Sequence, residues 1–214
     1  IDSGFISSGL VTIIFGVLFF LSNLDHDKKL NLPQAFLLTA LSWLSIAIFG
    51  SLPFIFSNIE LNFTDAFFES MSGITTTGST IITNLNETPK AILLWRAMLQ
   101  WLGGIGIIVM AITLMPIMNI GGMQLFAIST SSTPEKILPK SKEISLRLIL
   151  IYSVLTLVCA LFYKIFGMGY FDSIVHSMTT IATGGFPNYN ESIGYFDNAL
   201  IELSSMVFII LGSI

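Results

Sequence analysis

Phe63-Thr-Asp-Ala-Phe-Phe-Glu-Ser-Met-Ser-Gly-Ile-Thr75-Thr-Thr-Gly78-Ser-Thr80 reads as a short helix running into a Thr/Gly-rich turn. The turn is too small and too polar to be a buried connection. The pattern returns as Phe171-Asp-Ser-Ile-Val-His-Ser-Met-Thr-Thr-Ile-Ala-Thr183-Gly-Gly185-Phe-Pro187. With Asp65 set on Asp172, a gapless offset of 107 residues, six pairs coincide: Asp65/Asp172, Ser70/Ser177, Met71/Met178, Ile74/Ile181, Thr76/Thr183 and Gly78/Gly185. Internal repetition of this kind outranks any local motif as evidence of architecture.

Of the 214 residues, 53% are hydrophobic and 10% charged, and the mean hydropathy is +0.83. A soluble domain carries about 25% charged residues, so the solvent for most of this chain must be lipid. The formal charge of −4 is modest, and no basic cluster points to nucleic acid. A single cysteine, Cys159, cannot close an internal disulfide and reads as a small apolar packing residue. The chain opens on Ile1 and stops within the apolar run ending Leu211-Gly-Ser-Ile214, so it is expected to be part of a longer one. The first segment lacks the basic flank and small-residue cleavage site of a signal peptide.

Gly4 to Leu24 is a first span, since about 20 apolar residues cross a hydrocarbon core of ~30 Å. A solvated turn, Asp25-His-Asp-Lys-Lys29, follows. Pro33 opens a second span through Phe56, in a first turn where no hydrogen bond is lost. Ser57 to Pro89 cannot span, and its short apolar run reads as re-entrant. Thr64 and Asp65 suit the helix start, and Asp65 and Asp172 are read as caps. Ala91 to Pro116 is a third span. Its Gly103-Gly-Ile-Gly106 suits close helix approach in lipid; no strand precedes it, which excludes a dinucleotide fingerprint. Asn119 to Glu143 is a polar connection, Ile144 to Phe166 a fourth span, Phe171 to Ile181 the second short helix, and Asn198 onward the start of a fifth span. The expected fold is an all-α membrane protein. Its parts are a leading helix and turn (1–32), a first span–pore–span repeat (33–118), a connection (119–143) and a second repeat (144–214).

Lys28, Lys29, Lys136, Lys140, Lys142 and Arg147 cluster in or beside two connections, which the positive-inside rule assigns to the cytoplasm. Both Thr/Gly turns then face outward, among Glu60, Asp65, Glu69, Glu87, Asp172, Glu191 and Asp197. An acidic mouth concentrates cations.

Non-helical backbone inside a membrane is tolerated where it lines a cavity, and a dehydrated potassium ion needs carbonyl oxygens in place of water. The candidate wall residues are Thr75, Thr76, Thr77, Gly78 and Ser79 in one copy, and Ala182, Thr183, Gly184, Gly185 and Phe186 in the other. Potassium itself is expected at Thr76, Thr77, Gly78, Thr183, Gly184 and Gly185. Glycine leaves ordinary dihedral space at least cost, and the helices ending at Ile74 and Ile181 aim negative dipole ends at the ion. Glu69 and His176 occupy equivalent positions, where each either tunes the charge of the pore or sits behind it as support. Arg96 either pairs with Glu69 or snorkels to the interface. Trp95 and Trp101 fit an aromatic belt. The triplets at Asn62, Asn86 and Asn190 match a glycosylation pattern too common to carry weight.

Thr75-Thr-Thr-Gly-Ser-Thr80, Leu94-Trp-Arg-Ala-Met-Leu-Gln-Trp-Leu-Gly-Gly-Ile-Gly-Ile107, Gly121-Gly-Met-Gln-Leu-Phe126 and Ile181-Ala-Thr-Gly-Gly-Phe186 together resemble the Trk/Ktr/HKT superfamily of potassium transporters. The resemblance covers nearly the whole chain and is closest to the TrkH/TrkG-type uptake subunit. It implies four span–pore helix–span repeats around one pore. The leading helix, the first repeat and most of the second are here; the third and fourth repeats, with a gating loop, are expected elsewhere in the same chain. Filter glycines map onto Gly78 and Gly185, and glycine rather than serine at Gly78 favours potassium over sodium. The resemblance further implies a multi-pass protein of the bacterial inner membrane, a homodimer and a cytosolic nucleotide-binding ring of the Trk-A/Ktr-A type. Potassium is the transported ligand, with no covalent cofactor, and transport is driven by membrane potential or a coupled ion. Two alternatives remain: an intramembrane enzyme using Asp172, His176 and Glu69, for which there is no His-Glu-x-x-His or Gly-x-Ser-x-Gly pattern, and a sodium-passing or non-selective cation channel. Two walls alone are expected not to conduct.

Overall fold

The computed structural model describes residues 3–23, 32–57, 59, 61–118 and 137–214. The turn at Lys28 and Lys29, Glu60, Lys136 and the Gly121–Phe126 motif lie outside them. All regular structure among the described residues is helical: α1 (Ser3–Ser22), α2 (Leu32–Phe56), α3 (Phe63–Ile74), α4 (Lys90–Met118), α5 (Ile137–Ile165), α6 (Tyr170–Ile181) and α7 (Ala199–Ser213), with short 3-10 turns at Leu85–Glu87 and Ser192–Phe196. Among the described residues four stretches are long and apolar enough to cross a membrane: Ser3–Ser22, Pro33–Phe56, Lys90–Met110 and Glu143–Ile165.

Two similar units follow α1. In the first, α3 packs between α2 and α4; in the second, α6 packs between α5 and α7; α4 also lies against α6 and joins the units. Each has its own apolar core, built on Phe54, Ala66, Ile92 and Leu99 in one and on Tyr163, Met168, Ile181 and Phe208 among others in the second. Outward faces stay apolar: Phe20, Leu150, Leu157 and Leu161 are all more than half exposed, as suits helices solvated by lipid. Trp95 and Trp101 act as packing donors, Trp95 Nε1 to the Gly50 carbonyl and Trp101 Nε1 to Thr156 Oγ1, both at 2.9 Å.

The fifth helix begins at Ile137, seven residues before the expected Ile144. Pro139 falls in its first turn, where it removes no intrahelical bond, and Glu143 pairs with Arg147 one turn later. Helix caps also differ from expectation. Asn62, not Asp65, caps α3: its Oδ1 accepts Asp65 N–H at 2.9 Å while its Nδ2 donates to Asp65 Oδ2 at 2.7 Å. At α6 the cap is Gly169, with no side-chain cap bond. Asp172 instead accepts from Asn188 Nδ2 at 2.9 Å and Tyr189 OH at 3.2 Å.

Small residues bring the second span of each unit onto its short helix. A Cβ on Gly103 would overlap the Ile74 carbonyl oxygen, and one on Gly212 would lie 2.5 Å from that of Ile181. Ile74 and Ile181 keep the 107-residue offset, whereas Gly103 and Gly212 stand 109 apart, so the second outer loop is two residues longer. In this register Ser205 and Ile209 of α7 stand where α4 has Arg96 and Gln100. Gly103→Ala is expected to lower stability by about 1–3 kcal/mol, the range for overpacking a tight contact, read as a lower apparent Tm of the purified full-length protein.

Candidate ion-coordinating site

Both short helices end in the same unusual backbone. Thr76 (φ 56°) and Gly78 (φ 78°) in the first loop, and Thr183 (φ 53°) and Gly185 (φ 72°) in the second, are left-handed. The offset is again 107 residues. For a β-branched threonine this region is a genuine outlier, of a kind that costs about 1–3 kcal/mol and persists where the surroundings enforce it. The hydrogen bonds that enforce it also repeat. Thr77 and Gly78 N–H both turn back to the Ser72 carbonyl, at 2.9 and 3.5 Å; Gly184 and Gly185 N–H turn to that of Thr179, at 3.0 and 3.3 Å.

This pinning dictates where the carbonyls go. In a trans peptide the C=O of one residue is antiparallel to the next residue's N–H. With the Thr77 and Gly78 N–H groups held to the helix end, the carbonyls of Thr76 and Thr77 point away from it; those of Thr183 and Gly184 do the same in the second loop. The loops meet there, since a Cβ on Gly78 would overlap the Gly184 carbonyl oxygen. Thr75, Thr77, Ser79, Thr183 and Gly185 are exposed, while Ala182 and Phe186 are buried behind the second loop. Thr75 Oγ1 donates its proton to the Met71 carbonyl at 2.8 Å and accepts from Thr77 Oγ1, also at 2.8 Å. Neutral oxygens in two adjacent arcs are what a weakly hydrated monovalent cation can exchange for water.

Buried charge braces the arcs. Arg96 Nε donates to Glu69 Oε1 at 2.7 Å, with both side chains almost wholly enclosed. Glu69 also accepts Thr80 Oγ1 at 2.9 Å and Ile81 N–H at 3.0 Å, which ties it to the first loop. Arg96 Nη1 donates to the Pro187 carbonyl at 2.8 Å, and its guanidinium stacks 4.2 Å from the Phe186 ring centroid, beside the second loop. One ion pair therefore reaches both walls. Arg96 does not snorkel, and Glu69 is not part of an open acidic mouth; of the acids expected there, Glu87, Glu191 and Asp197 are exposed among the described residues. His176 has no comparable tie. Its buried ring packs edge-on against Phe196, 5.6 Å between centroids. Near the outer end, burial and the Asp172 carboxylate push the Tyr189 phenol up to about 12, which keeps it a donor.

Sequence reasoning also missed further ties between the units. Leu85 N–H donates to Asn190 Oδ1 and Asn190 N–H to Asn86 Oδ1, both at 3.1 Å, a clasp across the outer loops. Gln100, wholly buried on α4, accepts Phe186 N–H at Oε1, 3.1 Å away. A polar residue inside an apolar span was the available signal.

A model of the TrkH family, described as cation transport protein, matches residues 2–214. The Trk system potassium uptake protein TrkH of Halomonas elongata is 43% identical over 206 residues, 95% of this chain and 43% of that protein. The Escherichia coli protein of the same name is 42% identical over 210 residues, 97% of this chain and 44% of its own length. The crystal structure of the potassium transporter TrkH from Vibrio parahaemolyticus superposes with a TM-score of 0.86 at 40% identity, covering 98% of this chain and 42% of that one. The chain thus spans under half the length of the relatives it matches. On its own sequence and fold, it belongs to the TrkH family of cation transport proteins.

Proposed function

We propose that this chain supplies two of the four walls of a pore that takes potassium up across the bacterial inner membrane. The observation that carries the reading is the paired left-handed backbone at Thr76/Gly78 and Thr183/Gly185, with carbonyls turned from the helix ends and the loops in contact. Thr75, Thr76, Thr77, Gly78 and Ser79 form one wall and Ala182, Thr183, Gly184, Gly185 and Phe186 the next, with Glu69 and Arg96 as support. The units are residues 33–118 and 144–214, α5 extending the second by its seven preceding residues. Two further units of the same chain, a homodimeric assembly and a cytosolic nucleotide-binding ring belong to this proposal, as does drive by membrane potential or a coupled ion.

The test is uptake by the full-length protein in liposomes. Rubidium and potassium should enter at comparable rates and sodium at least about tenfold more slowly, a difference of ~1.4 kcal/mol at the barrier. Equal sodium entry would favour the non-selective channel instead. An intramembrane enzyme draws no support from the geometry, because the Glu69 carboxylate is occupied by Arg96, Thr80 and Ile81 and that of Asp172 by Asn188 and Tyr189.

A further inference from the structure

Gln100 lies four residues after Arg96 on α4, on the seam between the units. Besides holding Phe186 N–H, its carboxamide lies flat on Gly184: a Cβ there would sit 2.5 Å from Cδ, 2.6 Å from Nε2 and 2.7 Å from Oε1. Nε2 also approaches the first wall, 3.5 Å from where a Cβ on Gly78 would project. That nitrogen is buried with no hydrogen-bond partner among the described residues. A buried donor left unsatisfied is costly; methionine would remove that cost but would leave Phe186 N–H without its acceptor. The carboxamide is therefore set by what it meets at Phe186 and Gly184 rather than by volume alone. Two further details agree. The second loop has Gly184 where the first has Thr77, and the absent side chain is what admits the carboxamide. The corresponding residue of the other span, Ile209, is apolar and faces no loop of this chain in the same way.

We infer that Gln100 is a positioning residue that sets ion preference: its carboxamide gauges the distance between the Gly78 and Gly184 walls, and residue 184 is glycine in order to admit it. The inference rests on the loops being the potassium path. Gln100 acts through loop backbone and touches no ion.

The experiment compares potassium and sodium uptake by the full-length protein in liposomes. Gln100→Met keeps the volume and removes both polar atoms. It should leave the protein monodisperse and reduce potassium-over-sodium preference about fivefold, the worth of one net hydrogen bond. Gly184→Ala should reduce it too, because the methyl displaces the carboxamide. Adding Gln100→Ala to Gly184→Ala should cause little further loss, since both changes remove the same contact and residues in contact are non-additive. Unchanged preference in Gln100→Met, or additive effects in the double variant, would overturn the inference. Should Gly184→Ala fail to fold, recovery of monodisperse protein in the double variant supports the contact, and failure to recover it refutes the contact. Gly78→Ser separates the two levels. If it alters preference while Gln100→Met does not, the role of Gln100 is refuted and the pathway stands; if neither alters it, the pathway itself is wrong.

Discussion

Gly78→Ser in the full-length protein is expected to cut potassium-over-sodium preference at least about tenfold, equivalent to ~1.4 kcal/mol. Two effects act in the same direction. A side chain at φ 78° is strained, by roughly 1–2 kcal/mol. The new Cβ would also overlap the Gly184 carbonyl oxygen, so either the first loop changes hand or the second loop's carbonyl swings aside. Both moves displace the oxygens that a dehydrated ion relies on. Gly78→Ala should do as much damage as Gly78→Ser, because the collision belongs to Cβ and not to the hydroxyl. Cation uptake measured for both variants decides the matter: an alanine variant with wild-type preference would refute the wall-contact argument.

Arg96→Met should be the more destructive for folding. It strands the Glu69 carboxylate in a site closed to solvent, with only Thr80 and Ile81 as donors, and releases the Pro187 carbonyl and the Phe186 ring together. Removing one partner of a buried ion pair costs about 3–5 kcal/mol. Most of that is the unpaired charge, so adding Glu69→Gln to Arg96→Met should recover a large part of the stability without restoring the tie to Pro187. Thermal unfolding of the purified proteins at two salt concentrations is the check. The loss should be insensitive to salt, since a pair this enclosed is scarcely screened; a wild-type melting curve for Arg96→Met would show that the brace is dispensable.

The membrane helices and the repeat were legible in the sequence for physical reasons. Apolar runs of about 20 or more residues have few alternatives to spanning, and a backbone that must go left-handed twice leaves its glycines and threonines in register. What was not legible involves side chains meeting across the seam. Arg96 fits two environments equally well by sequence, and only the fold brings Glu69 within 2.7 Å. Gln100 stands one helical turn further on the same face, yet its partner, an N–H of Phe186, is 86 residues away and carries no sequence signature. Asn62 is masked as a cap by the acidic residue three positions later, which suits a helix start equally well; in the structure the two bond each other. The gapless 107-residue register also misaligns the later spans, because an outer loop can lengthen by two residues at little cost while helix contacts such as Gly103 on Ile74 and Gly212 on Ile181 cannot slide.

The unlike residues at corresponding places on α4 and α7, Arg96 and Gln100 against Ser205 and Ile209, bear on how the two halves can move. An iris opens because every blade is hinged alike. Here one seam is stapled by charge and carboxamide, whereas at the corresponding places the second half has Ser205, whose hydroxyl turns back to the Glu202 carbonyl, and the exposed Ile209, so within this chain the two flanks are unequally tied. On the proposed reading of the loops as pore walls, motion that widens the pore is expected to begin away from the Arg96 seam and to leave the Gly78–Gly184 contact as its pivot.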